Sequence, residues 1–184
     1  MQNISLISYG YFDKALLDRI AENISQEFQS QVELREGHLD LSLYYDPGRR
    51  QYNGTRLLEV VDKLPLESSY KTLALFNVDL FIPILTYIFG QAYLGGKSGI
   101  VSSYRLRNEL YGLKQDDKLL AGRIIKVCLH ELGHMHGLVH CSQPQCIMRS
   151  STYVEDIDLK ERYFCGECNE LLKKAPGVYG DGHP

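Results

Sequence analysis

The sequence predicts a single α/β domain built on a mixed, twisted sheet, and three observations carry that prediction. Strand-like and helical patterns alternate over the first 65 residues, and extended segments cluster between residues 70 and 106. One long helical pattern then opens at Asp116-Asp117 and runs on past residue 130. Early alternation followed by a run of strands is the pattern of an α/β sheet covered by helices, mostly parallel or mixed. At 184 residues the chain supplies one well-buried core and is short for two.

Each element has its own reason. Ile4 to Ser8 is a short apolar run that suits an opening strand. Asp13 can cap a helix whose Leu16, Leu17, Ile20, Ala21, Ile24 and Phe28 recur at helical spacing. From His38 to Tyr45 the pattern alternates, placing Leu39, Leu41, Leu43 and Tyr45 on one face of a half-buried strand. Asp46-Pro47-Gly48 turns the chain. After Asn53-Gly54-Thr55, Leu57, Leu58, Val61 and Leu64 predict a second helix that stops near Pro65. Tyr70 to Val78 reads as a buried strand, and Ile84–Leu94 and Gly99–Leu106 as further extended segments with a Gly95-Gly96 turn between them. The acidic pair Asp116-Asp117 suits the positive end of the long helix that follows.

Composition narrows the function classes. With 44% hydrophobic and 23% charged residues and no tryptophan, the chain has an ordinary globular composition. A net charge of -3 leaves no basic excess, so nucleic acid is not an expected partner. The start, MQNISLISYG, lacks a basic segment followed by an apolar run, so no secretory signal is expected. The most apolar window, Leu73 to Leu94, is broken by Asn77, Asp79, Pro83 and Gln91, which suits strands and turns rather than a membrane span. The five cysteines, 128, 141, 146, 165 and 168, lie in the C-terminal third. An odd count without a signal favours metal thiolates in a reducing, cytoplasmic setting over disulfides.

The long helix carries the chemistry. It reads HELGHMHGLVH from His130 to His140. His130 and His134 stand one turn apart on one face, so both imidazoles reach a single ion. Glu131 is offset around the helix, where it suits the role of general base rather than ligand. A catalytic zinc wants three protein ligands and one open position. Gly137 sits where a left-handed turn can swing His140 back as the third ligand. Glu155, some twenty residues on, is the rival, but the intervening cysteines make that geometry hard to build. HExxH alone is a weak signal, and Gly137 and His140 at their offsets make chance a poor explanation. His136 projects to another face and reads as a polar supporting residue, while His38 and His183 read as solvent-facing.

A second metal pattern begins at the next residue. Cys141-x4-Cys146 and Cys165-x2-Cys168 form two knuckles, matching a closed four-thiolate structural zinc site. Cys128 has no partner at suitable spacing and reads as a small buried hydrophobe. Turn residues and short charged segments dominate from Cys141 on, and Ala175 to Pro184 is rich in glycine and proline. The expected organisation is therefore residues 1–140, including the metal-binding helix, and a C-terminal subdomain, 141–184, stapled by zinc and ending in a frayed tail.

HELGHMHGLVH running into CSQPQCIM (Cys141 to Met148), with FCGEC (Phe164 to Cys168) beyond, resembles the archaemetzincin family of zinc metallopeptidases. RQYN (Arg50 to Asn53) and GKSGIVSSYRL (Gly96 to Leu106) extend the likeness more weakly upstream. The resemblance implies a metzincin-like domain with two zinc ions per chain. His130, His134 and His140 would hold the catalytic zinc, with Glu131 as base. Cys141, Cys146, Cys165 and Cys168 would hold the structural zinc. Met148, alone a core gap-filler, becomes the methionine turn beneath the ligands. GKSGIVSSYRL would include the edge strand that binds an extended peptide. Other metzincins carry a tyrosine just after the methionine; Arg149 and Ser150 stand here, and the sequence leaves open whether Tyr153 substitutes. The implied activity is peptide-bond hydrolysis; aminopeptidase-like action on small peptides and endopeptidase action both stay open, because no residue identifies itself as the holder of a substrate's free amine. The alternative is a non-catalytic zinc-binding or adaptor protein on the same scaffold, which would have no need of Glu131. Oligomeric state and substrate preference are not readable from the chain.

Overall fold

The computed structural model describes residues 3–66 and 71–175. Tyr70, Pro176 to Pro184 and, with them, His183 lie outside the described residues. The main sheet contains β1 (Asn3–Tyr9), β2 (Gln31–Gly37), β5 (Lys71–Phe76), β8 (Gly90–Ala92) and β9 (Ser98–Ser102), in the order β2-β1-β5-β9-β8. Four strands run parallel and β8 closes one edge antiparallel to β9. A smaller sheet, ordered β3-β4-β6-β7, joins β3 (Tyr45–Asp46), β4 (Gln51–Asn53), β6 (Leu80–Ile82) and β7 (Leu85–Ile88). The helices are α1 (Lys14–Phe28), α2 (Gly54–Asp62), α3 (Asp117–Met135), α4 (Val154–Leu159) and α5 (Gly166–Lys174).

Strand alternation explains the layers. Successive side chains leave opposite faces of a strand. Ile4 and Leu6 of β1, Leu73 and Leu75 of β5 and Val101 of β9 enter one core with α1 and α3. Ile7 and Tyr9, Ala74 and Phe76, and Ile100 enter the other with α2 and the small sheet. Parallel strands covered on both faces have no polar side, which is why β5 is buried at all six residues. Asp13 caps α1 by accepting from Leu16 N at 3.2 Å, and Asn53 caps α2 by accepting from Arg56 N at 3.1 Å. The C-terminal segment is not set apart from the first core: Ile147, Met148, Ile157, Phe164 and Leu172 pack into it beside Phe28 and Leu129.

The expected strand over His38–Tyr45 is not there. Leu41–Tyr44 forms a 3-10 turn, and only Tyr45–Asp46 is extended. Asp40 Oδ1 accepts from Ser42 N at 3.0 Å and Ser42 Oγ at 2.7 Å, a local alternative to the sheet ladder. The strand pairing with β1 is instead Gln31–Gly37, a mostly exposed edge whose polar residues hide its periodicity. Gly99–Leu106 likewise stops being a strand at Ser102, whose Oγ donates to Val78 O at 2.6 Å and accepts from Tyr104 N as the chain turns. Ile84–Leu94 is extended as expected but serves two sheets, and β6, only three residues ahead of Pro83, leaves no periodic signal. Among the described residues no helix is long and apolar enough to cross a membrane.

Candidate active site

Helix α3 begins where Asp116 Oδ1 accepts from Leu119 N at 2.8 Å and ends one residue after His134. Gly137 carries the stop, with φ at +91°. Gly137 N donates to His134 O at 2.9 Å and Leu138 N to Gly133 O at 3.0 Å, the paired bonds of a Schellman end. A side chain is strained at that φ, so the glycine lets the chain double back and bring His140 to the helical pair.

The ligand atoms of His130, His134 and His140 lie within 4.8 Å of one another. His130 Nδ1 is 2.8 Å from Ile147 O, and His134 Nδ1 is 2.7 Å from Leu138 O. Carbonyls only accept, so each Nδ1 carries the ring hydrogen and each Nε2 keeps its lone pair. Those two Nε2 atoms face one another at 3.1 Å. Two lone pairs so close repel, and a cation between them turns the repulsion into binding. A proton is poorly suited to that place, because burial pushes His130 well below, and His134 below, the ordinary imidazole range. The donor set therefore fits a metal ion, three neutral imidazoles with room for a fourth ligand.

Glu131 is buried against β8. A Cβ on Gly90 would stand 2.6 Å from Glu131 Oε1, so the carboxylate occupies space that only a glycine leaves. Burial raises the Glu131 carboxyl to about 8, opposed by the positive charge of Lys160. The histidines, Glu131, β8 and residues 150–153 line one cavity of about 480 Å³. The edge strand is thus β8; β9, within the segment expected to supply it, lies inside the sheet between β5 and β8. Two further contacts fix this wall to the helix end. Gly95 N donates to His134 O at 2.8 Å, and Lys71 Nζ donates to both Met135 O at 2.7 Å and Gly96 O at 2.8 Å.

Met148 is fully buried in a tight turn closed by Arg149 N donating to Cys146 O at 3.0 Å. Its sulfur packs against Gly133, where a Cβ would overlap it. Glu155 is exposed on α4 and outside the histidine group. His136 turns away from the cavity, stacks on Phe28 at 4.9 Å and is held by burial at about 4. His38 is exposed and Cys128 fully buried, as the sequence suggests. Tyr153 lines the cavity but is 64% exposed.

The four remaining cysteines gather around a second point, their sulfurs within 4.8 Å of one another. Gln143 N and Cys165 N donate to Cys141 Sγ and Cys146 Sγ, each at 3.4 Å. Amide donors aimed at sulfur favour the thiolate, the form that binds metal. Cys141 N donates to Met148 O at 3.0 Å, so this cluster and the methionine turn share backbone.

Sequence reasoning passed over Gly90, Tyr87 and Lys160. Tyr87 lines the cavity and its hydroxyl donates to Thr152 O at 2.8 Å, joining β7 to the opposite wall. Gly90 had a signal, an isolated glycine inside a strand pattern, which marks close approach of another group. Lys160 had none.

A family model described as peptidase family M54 matches residues 2–174. The chain belongs to that family. The archaemetzincin of Thermococcus kodakarensis is 34% identical over 178 residues, 94% of this chain and 96% of that protein. The crystal structure of archaemetzincin from Methanopyrus kandleri aligns with a TM-score of 0.83 at 30% identity, covering 95% of this chain and 94% of that one. That of a zinc-dependent peptidase from Methanocorpusculum labreanum gives 0.81 at 31%, covering 92% and 99%. This archaemetzincin-family chain is accordingly a zinc metallopeptidase, a hydrolase acting on peptides.

Proposed function

We propose that His130, His134 and His140 hold a catalytic zinc, that Glu131 is the general base, and that Cys141, Cys146, Cys165 and Cys168 hold a second, structural zinc. The observation that carries the first assignment is the pair of Nε2 atoms at 3.1 Å, each with its Nδ1 bonded to a carbonyl. Zinc, when bound, supplies a Lewis acid that polarises the scissile carbonyl and makes water acidic near neutral pH. An extended peptide lies along the free edge of β8, which fixes its backbone by strand addition. Glu131 takes the proton of the attacking water and delivers it to the departing amine.

The cavity suits short peptides, and aminopeptidase-like cleavage is the finer reading. Glu131, assigned as the base, is the one carboxylate among its lining residues, so no further acidic side chain lines the cavity to hold a free substrate amine. Met148 supports the ligand helix through Gly133. We assign residues 1–140 to a metzincin-like N-terminal subdomain that includes the active-site helix, and 141–184 to a C-terminal subdomain with the methionine turn and the structural zinc, working in a reducing, cytoplasmic setting. That setting agrees with five cysteines free of disulfides among the described residues. The test pairs zinc per chain with cleavage of one short peptide, free or N-acetylated. Two zincs, activity lost in Glu131→Gln and a preference for the free amine are the expected results. Equal cleavage by wild type and Glu131→Gln overturns the mechanism, and equal cleavage of both peptides overturns the aminopeptidase reading.

A further inference from the structure

We propose that Lys160 is a positioning residue for the histidine metal site, acting through the methionine turn. The residue is 3% exposed, and its Nζ donates to Arg149 O at 2.6 Å and Ile147 O at 3.2 Å. Those carbonyls flank Met148. Ile147 O is also the acceptor that holds the Nδ1 hydrogen of His130. The carbonyl between them, Met148 O, accepts from Cys141 N. Three consecutive carbonyls are therefore all engaged, and among the described residues Lys160 supplies the only charged donor to them.

The lysine itself is held in place. Glu161 N donates to Gln145 O at 2.9 Å and Ile147 N to Tyr163 O at 3.0 Å, so residues 160–163 run beside the turn. Two carbonyls converging on one buried point repel unless a strong donor lies between them, and charge-assisted donors are about twice as strong as neutral ones. With the ammonium in place, Ile147 O is aimed at His130, and His130 keeps the tautomer that leaves Nε2 free. Partners that orient a ligand in this way typically change metal affinity about 10- to 100-fold when removed. Lys160 also lines the cavity that holds Glu131, where its positive charge opposes the rise of that carboxyl.

The inference rests on His130 being a zinc ligand, and the experiment separates the two. Zinc per chain is measured against graded chelator for wild type, His130→Ala, Lys160→Met and Lys160→Ala, the last with and without propylamine or propanol. Wild type holding two zincs and His130→Ala one establishes the ligand. A His130→Ala chain that keeps both zincs overturns the ligand assignment, and this proposal with it. With the ligand established, Lys160→Met is expected to bind the histidine-site zinc about 10- to 100-fold more weakly, with the thiolate-site zinc unchanged. Propylamine, but not propanol, restores affinity to Lys160→Ala. Unchanged histidine-site affinity in folded Lys160→Met, or parallel loss of both zincs, overturns the positioning role. If Lys160→Met does not fold, the alanine variant decides: equal response to amine and alcohol, or response to neither, overturns it.

Discussion

The histidine group and the cysteine group meet at one peptide bond, His140–Cys141, yet they are built on opposite principles. The histidines open on a cavity of about 480 Å³, and the Nδ1 atoms of His130 and His134 are tied to carbonyls that fix their tautomer and direction. The cysteines offer four sulfurs in one closed group and receive amide hydrogens. On the proposed assignment, three neutral imidazoles would leave a place for chemistry, whereas four thiolates would fill the coordination shell and leave only architecture. Support differs in the same sense: glycine, methionine and lysine brace the histidines, while short turns brace the cysteines.

The sharpest way to break this contrast is Cys168→Ser. Structural zinc contributes on the order of 10–16 kcal/mol in small zinc-dependent folds, so the variant should lose one zinc and hydrogen-exchange protection across residues 141–175. Because Cys141 follows His140, the histidine-site zinc should weaken too. Full retention of its affinity would show that the sites are independent.

Glu131→Gln attacks the other side of the comparison. Removing a general base costs about 10²- to 10⁴-fold in rate, and both zincs and the thermal midpoint should be retained. Loss of zinc with the activity would mean that Glu131 is structural.

Acid should act next. His136 is held at about 4 by burial, below its unfolded value, so the unfolded chain takes up the proton first. Its contribution is fully present above pH 6.5 and is lost as pH falls towards 4, up to about 3 kcal/mol at 1.36 kcal/mol per unit. Chemical denaturation at pH 7 and pH 4.5 should show this loss, and His136→Phe should flatten it. The same slope in both proteins would place the acid sensitivity elsewhere.

Gly90→Ala is the mildest change. Its Cβ would press on Glu131 Oε1 from 2.6 Å. A displacement near 1 Å can cost about 10²-fold, so activity should fall 10- to 100-fold with zinc content intact. Unaltered kinetics would show that Glu131 has slack.

Much of this was legible because the chemistry is local in sequence. His130, His134, Gly137 and His140 are set by helix spacing and one left-handed turn, and Asp13, Asn53 and Asp116 mark three helix starts by their capping side chains. What stayed hidden depended on contacts across the fold. Gln31–Gly37 is an exposed edge whose polar residues conceal its strand. Leu39 to Tyr45 alternates like a strand, but Asp40 and Ser42 bend it into a turn. The sheet's edge is β8 rather than β9, because which of two neighbouring strands ends a sheet is decided by pairing alone. Lys160 reaches back to carbonyls 11 and 13 residues away, a relation no periodicity reports.

Lys71 gives the molecule a gauge. By gripping Met135 O and Gly96 O at once, with Gly95 N on His134 O, it ties the turn that follows β8 to the end of the helix that carries His130 and His134. The span between β8 and the histidines is therefore held along this wall. Any widening for a bulkier guest has to come from the facing wall at residues 150–153, where the Tyr87–Thr152 bond is the stitch to be undone.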